Sequence, residues 1–403
     1  MLDSADVPHF DAFRGLRYAP AIDAADVTSP PYDVIDAAER AALAARHPAN
    51  AVHVDAPTGD DGYEAAASTL ARWVTDGTLM LDEHPCLTLY RLSFTDESGR
   101  ARSTTGVVAA LALEPPGEGD VLPHERTTPK ARSDRLQLLR TTEANTSAVW
   151  GLSLAEGLSG LLDPPPEAPL STVIDEDGVR HEVWRIDDPG RIATILESLV
   201  SAPVVIADGH HRYETCLAYQ AERRAGGEAA GGQDSTLAFV VELAEDQLTV
   251  APIHRLLTGV APGTDLVRAL AGHFDAERCE GRPGPGAVDA LVAAGALGLV
   301  GPDDGWWLLR PRAGAPPPER DLDSARLEAA LGALGDPSVA YQHGVANIVA
   351  AIDEGRADAG VLLRPATVAQ IADVAHARQR MPPKTTFFWP KPRTGLVYRR
   401  FAD

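Results

Sequence analysis

Two histidines and an arginine follow directly on an acid and a glycine in Asp208-Gly209-His210-His211-Arg212-Tyr213-Glu214-Thr215, and the apolar run Val204-Val205-Ile206-Ala207 leads into them. The apolar run reads as a short buried strand, Gly209 permits a tight turn, and the residues from His210 to about Arg224 read as a helix. The first N–H groups of a helix have no acceptor inside it and lie at the positive end of its dipole, so an anion such as phosphate is favoured there. Arg212 can add a bidentate contact to that anion, while Asp208 can orient a neighbouring histidine or hold Mg²⁺. The bland alternative is a connection whose Asp208 caps the helix and whose histidines are surface residues. A doubled histidine immediately after the turn weighs against it. Lying at a helix start, Arg212 is expected outside the core, so its loss should matter little for stability.

A second cluster is His124-Glu125-Arg126-Thr127-Thr128-Pro129-Lys130, followed by Arg132 and Arg135. His124 and Glu125 are suited to general acid–base work or metal ligation, and Arg126, Lys130 and Arg135 to gripping anionic oxygens. A solvated charged loop is the competing reading. A third segment, Val374 to Arg400, holds seven Lys/Arg and no Asp or Glu in a chain whose formal net charge is −22. Within it, Met381-Pro382-Pro383-Lys384-Thr385-Thr386-Phe387-Phe388-Trp389-Pro390-Lys391 concentrates prolines and aromatics that could hold Lys384 and Lys391 in place. Smaller signals are Tyr32 and Asp33 on the stiff loop after Pro30-Pro31, and His254-Arg255 at a strand end. No P-loop, G-x-G-x-x-G, G-x-S-x-G or H-E-x-x-H motif occurs.

The elements that must position these groups alternate between helix and strand. Helices are expected over Asp36 to Arg46, with Asp36 as cap, over Gly62 to Asp76, and from Asp188 to Leu199. A short strand is expected at Ala51 to Asp55, and a hairpin from Leu87 to Leu113 turns at Asp96-Glu97-Ser98-Gly99. Further strands fall at Ser147 to Leu154, His181 to Ile186 and Thr236 to Leu243. The result is a mixed α/β fold, with a provisional division at 1–200, 201–262 and 263–403. The 403 residues are 44% hydrophobic and 23% charged, the balance of a globular protein with a substantial core. An excess of 58 acidic over 36 basic residues disfavours general binding to nucleic acid or anionic membrane. Three cysteines without a C-x-x-C, no basic-plus-apolar leader and no bilayer-length apolar run lead to the expectation of a reduced, soluble, cytoplasmic protein.

The blocks Pro30-Pro31-Tyr32-Asp33-Val34-Ile35, His124-Glu125-Arg126-Thr127, Ala207 to Thr215, Pro252-Ile253-His254-Arg255 and Met381 to Phe387 resemble a widespread prokaryotic family catalogued as a domain of unknown function. More distantly, the apolar strand, D-G-H-x-R and helix resemble the ParB/sulfiredoxin-like superfamily. That superfamily includes CTP-binding ParB, ATP-using sulfiredoxin and free-serine kinases. The resemblance implies a ParB/sulfiredoxin-like strand–turn–helix core within a larger mixed sheet, with nucleotide phosphates held at the helix start. It implies a Mg²⁺-dependent transfer of phosphate from ATP, ADP or pyrophosphate to a small hydroxyl substrate such as L-serine. Asp33 or Glu125 would then act as base, beside Asp208, His210 and His211, with Asp208 on the metal. Tyr32, His124, Arg126, Lys130, Arg135, Gly209, Arg212, Glu214, His254, Arg255, Lys384 and Lys391 would bind phosphate or substrate. A metal-dependent hydrolase or phosphatase using the histidines, and a nucleotide-binding regulator of the ParB type, are the competing readings. The oligomeric state is left open.

Overall fold

The computed structural model describes residues 8–96, 99–115, 117–123, 132–302, 305–316, 320–382 and 384–403, with the side chains of 132 and 133 excepted. These fall into two compact units. The first comprises Met1–Leu248 together with Pro390–Asp403, and the second Thr249–Trp389. The fold is mixed α/β, as the alternation of periods predicts.

The first unit is built on a nine-stranded sheet. Its strands are β1 (Phe10–Asp11), β2 (Leu87–Thr95), β3 (Ala101–Ala112), β4 (Val121–Pro123), β5 (Val149–Ser153), β6 (Ser171–Ile174), β7 (Arg180–Ile186), β8 (Val204–Asp208) and β9 (Ser235–Glu242). They run in the order β4-β8-β5-β9-β3-β2-β7-β6, with β1 against the far end of β3. Two pairs, β4 with β8 and β5 with β9, are parallel; the others are antiparallel. The β2–β3 hairpin keeps the expected register, with Thr95 opposite Ala101 across the Asp96–Gly99 turn. β8 is an interior strand of this sheet, between β4 and β5.

Local rules explain most helices. Asp36 accepts N–H bonds from Ala38 and Glu39 while the Glu39 carboxylate accepts that of Asp36, a reciprocal cap that starts the helix Ala37–Arg46. Asp188 caps Pro189–Leu199 by accepting the N–H of Arg191. The helices Pro189–Leu199 and His210–Ala225 contribute Ile195, Leu199, Tyr213, Cys216 and Tyr219 to a core shared with the sheet residues Leu89, Val107, Val204 and Ile206. Ala51 to Asp55 departs from expectation: Val52–Asp55 is a helical turn, not a strand. Asn50 Oδ1 accepts the N–H of Val52, and Val52, Val54 and Asp55 are all buried, so alternation over so few residues did not mark a strand.

The second unit is a six-stranded antiparallel sheet in the order Phe274–Cys279, Trp306–Pro311, Leu297–Val300, Ala359–Leu362, His254–Thr258, Ser338–Gln342. Alternate residues of its strands feed two separate apolar clusters. Val300, Leu308 and Leu362 pack with Ile348 and Ile352, and Leu299, Leu309 and Val361 with Leu327 and Leu270.

Candidate anion-binding site

At the end of β8 the chain passes through Gly209, whose φ of 88° is left-handed, directly into the helix His210–Ala225. A Cβ at Gly209 would stand 3.0 Å from both Cζ and Nε of Arg212. Glycine is therefore required twice, for the turn and because the Arg212 guanidinium folds back over it. Gly209→Ala is expected to lose about 1–2 kcal/mol from the backbone alone and to push Arg212 aside. Urea unfolding measures the first effect, and a drop in any anion affinity the second.

Asp208 keeps 21% of its side-chain surface exposed and is gripped by two cations from different parts of the first unit. Lys391 Nζ donates to Oδ1 at 2.7 Å, and Arg212 Nη2 donates to Oδ2 at 2.6 Å. Burial opposes ionisation of Asp208, but Lys391 and Arg212 outweigh it and hold the carboxyl well below the usual carboxylate range. Both oxygens are thus already neutralised by side-chain cations, a donor set that does not fit a magnesium ligand. Among the described residues no group of three or more His, Cys, Asp or Glu is arranged to hold a metal ion. Asp208 thus anchors Lys391 and Arg212.

Arg212 is buried, which corrects the expectation that a residue at a helix start lies outside the core. Only 7% of it is exposed, its Nη1 donates to the carbonyl of Ala148, and its Nε is buried with no hydrogen-bond partner among the described residues. Burial works against its charge, yet Asp208, Asp33, Tyr32 and Asp55 together hold it ionised. An ionised guanidinium whose Nε–H is unspent is a donor awaiting an acceptor.

Beside it lies a second buried ion pair whose acid carried no sequence signal. Arg135 Nη2 donates to Asp55 Oδ1 at 2.7 Å and Nη1 to the Asp55 carbonyl. Thr146 and Ser147 hydroxyls donate to the same Oδ1 at 2.7 and 3.2 Å, while Oδ2 is buried without a partner among the described residues. Burial pushes the Asp55 carboxyl up, and Arg135 and the Thr146 hydroxyl more than reverse that. The Arg135 guanidinium also lies 3.9 Å from the centre of the Tyr32 ring. That stacking joins the Pro30-Pro31 loop to the cluster, with Asp33 exposed on its turn. Arg135, Arg212, Thr146 and Ser147 share a small cavity of about 30 Å³, room for one or two waters.

His211 Nδ1 lies 4.0 Å from Glu214 Oε2 on the first turn of the helix, and the charge of His210 acts on Asp208. His124, Glu125, Arg126 and Lys130 lie outside the described residues. His254, Arg255 and Lys384 belong to the second unit. There the buried Arg255 donates to the carbonyls of Ile253 and Lys384 and stacks on Tyr341 at 4.6 Å. Lys384 is exposed, with φ at 56°.

His254 is buried, and its Nδ1 accepts the N–H of Leu363. Burial, then His343 and Arg255, push its pKa down from 6.5 to about 4. Between those values the unfolded chain binds the proton and the folded one does not, so stability falls as pH drops from about 6.5 toward 4. The loss is expected to reach on the order of 3 kcal/mol. Denaturation of the wild type at pH 7.5 and pH 5 should show it, and His254→Gln should flatten the pH dependence.

The class this architecture defines is a mixed α/β protein that carries buried cations at a strand–turn–helix junction. The chain belongs to the family described as "Protein of unknown function (DUF1015)", whose model matches residues 10–329. No curated protein matches the chain in sequence. Solved structures similar to it at a distance include the following. Free serine kinase in complex with AMP is 12% identical over 67% of this chain and 83% of that one, with a TM-score of 0.35. A conserved hypothetical protein from Pyrococcus furiosus is 12% identical over 69% and 90%, at 0.34. SbnI with C-terminal truncation from Staphylococcus aureus is 12% identical over 70% and 82%, at 0.38. Likenesses this distant carry no argument about the reaction. Among the described residues no helix is long and apolar enough to cross a membrane.

Proposed function

We propose that this protein is a small-molecule phosphotransferase that moves a phosphoryl group from ATP, ADP or pyrophosphate to a hydroxyl substrate, with free L-serine the best candidate. The observation that carries this reading is the buried Arg212, held by Asp208 at the start of the helix His210–Ala225 with its Nε unspent and Lys391 alongside. Phosphoryl transfer asks little covalent chemistry of a protein; it needs positioning and positive charge where negative charge develops. The helix start, Arg212 and Lys391 supply that charge to the donor phosphates. Asp208 holds both cations in place, and Asp55 does the same for Arg135.

In the reaction the substrate hydroxyl oxygen attacks the terminal phosphorus and the phosphoanhydride bond breaks. The electron pair leaves on the bridging oxygen, and Asp33 accepts the hydroxyl proton. Asp33 suits this role because it is exposed on the loop pinned to Arg135 through Tyr32, and its charge acts on Arg212. His210, His211 and Glu214 are further candidates for contacts to donor or acceptor, as are His124, Glu125, Arg126 and Lys130. Incubation with L-serine, magnesium and each donor in turn is expected to yield phosphoserine, read by mass spectrometry. Asp33→Asn should lower its rate by about 10²–10⁴-fold while leaving donor binding near wild type. Absence of phosphoserine with all three donors contradicts the proposal.

A further inference from the structure

The largest cavity among those described shares no lining residue with the Asp208–Arg212 cluster. It has a volume of about 320 Å³, within the range of roughly 300–1,000 Å³ typical of small-molecule sites. The first unit builds it from the segment Arg17–Ala24, the strand Leu79–Leu81 with Asp82 and Glu83, the start of β6, β7, and Gly395-Leu396. Met80 and Leu170, two of the few large apolar side chains left exposed among the described residues at 53% and 54%, both line it. Ile22 and Leu396 complete an apolar wall.

The charged side of the cavity is unequally satisfied. Asp82 is buried and fully engaged: Arg17 Nε donates to it at 2.8 Å, Gly15 N–H at 3.2 Å and the Cys86 thiol at 3.3 Å. Arg17 turns its Nη2 to Thr88 Oγ1 at 2.7 Å, so this pair is closed. Arg185 is different. Among the described residues only its Nε makes a hydrogen bond, to the exposed Asp187 at 3.2 Å, and its Nη1 forms a longer ion pair with Asp82 at 3.8 Å, beyond hydrogen-bond reach. With 42% of its side chain exposed, Arg185 lines the cavity as a guanidinium whose Nη1 and Nη2 make no hydrogen bond to any described residue.

We propose that this cavity binds an amphipathic monocarboxylate, with the carboxylate on the Arg185 fork and the apolar body against Met80, Leu170, Ile22 and Leu396. A planar fork matches a carboxylate in two parallel hydrogen bonds. The apolar wall supplies the burial that a chain of net charge −22 cannot supply by attraction for anions. Asp82 and Glu83 at the same cavity stand against a second negative charge, which selects one carboxylate over a dianion.

Calorimetric titration of the full chain with 4-phenylbutyrate tests this. The expected result is one site per chain with a Kd below about 1 mM, the range open to a ligand of that size. Arg185→Ala should weaken it about tenfold, Met80→Asp should abolish it, and neutral 4-phenylbutanamide should bind about tenfold more weakly than the acid. Both substituted side chains are half-exposed, so the variants should unfold at the wild-type temperature, which a thermal melt verifies. No uptake of 4-phenylbutyrate by the wild type, equal affinity for the amide, or binding unchanged in both variants overturns the proposal.

Discussion

Replacing Arg135 by alanine is expected to destabilise the first unit by about 3–5 kcal/mol, the usual loss when one member of a buried ion pair is removed. Asp55 is 1% exposed, and its Oδ1 would keep only the two hydroxyls while Oδ2 already has no partner. Without Arg135 the burial that pushes the Asp55 carboxyl up is opposed only by the Thr146 hydroxyl and the charge of Arg212, so Asp55 takes up a proton more readily than in the wild type. In the wild type the depressed carboxyl contributes stability above the ordinary aspartate range and loses it as pH falls through its folded value. The gap between wild type and Arg135→Ala should therefore narrow on acidification. Asp55→Asn in the Arg135→Ala background should recover part of the loss, because a neutral amide is cheaper to bury than a charge. Urea denaturation at pH 7 measures this, and a loss below about 1 kcal/mol would show that the pair is not the anchor described here.

Arg212→Ala should act on binding and stability together. A charge-assisted bond from Arg212 to a donor phosphate contributes about 1.5–3 kcal/mol, so donor affinity should fall roughly tenfold to a hundredfold. Because Arg212 is buried against Asp208 and the Ala148 carbonyl, stability should also drop, by about 1–3 kcal/mol. The drop should be smaller than for Arg135, since Lys391 still covers Asp208. Arg212→Lys should restore the charge without the planar fork and recover only part of the affinity. A folded Arg212→Ala that binds ADP like the wild type would remove the phosphate from this helix start.

What could be read from the sequence is what is local. The reciprocal cap at Asp36 and Glu39, the β2–β3 hairpin and the strand–glycine–helix passage at Val204 to Arg212 all rest on neighbours in the chain. Lys391 was singled out by charge inversion, but its pairing with Asp208 spans 183 positions and depends on Pro390–Asp403 returning to the first unit. Nothing near Lys391 encodes that return. Asp55 was invisible because Ala51-Val52-His53-Val54-Asp55 reads as a short apolar alternation, and its partner Arg135 is 80 positions away. The burial of Arg212 was missed for a related reason. Position at a helix start says nothing about what packs over it, and here Ala148, ahead of β5, and Gly209 close around the guanidinium. The chain Asp175–His181–Tyr90, with His181 and Tyr90 buried and contacts of 3.0 and 2.7 Å, likewise joins residues whose spacing carries no motif.

A crystal structure of the wild-type protein grown with ADP shows directly whether phosphate binds at this helix start. A phosphate oxygen is expected about 3 Å from Arg212 Nε and from first-turn N–H groups of the helix His210–Ala225, with Asp208 still bridging Arg212 and Lys391. ADP bound with its phosphates away from that helix start, and Arg212 Nε still without an acceptor, would contradict it.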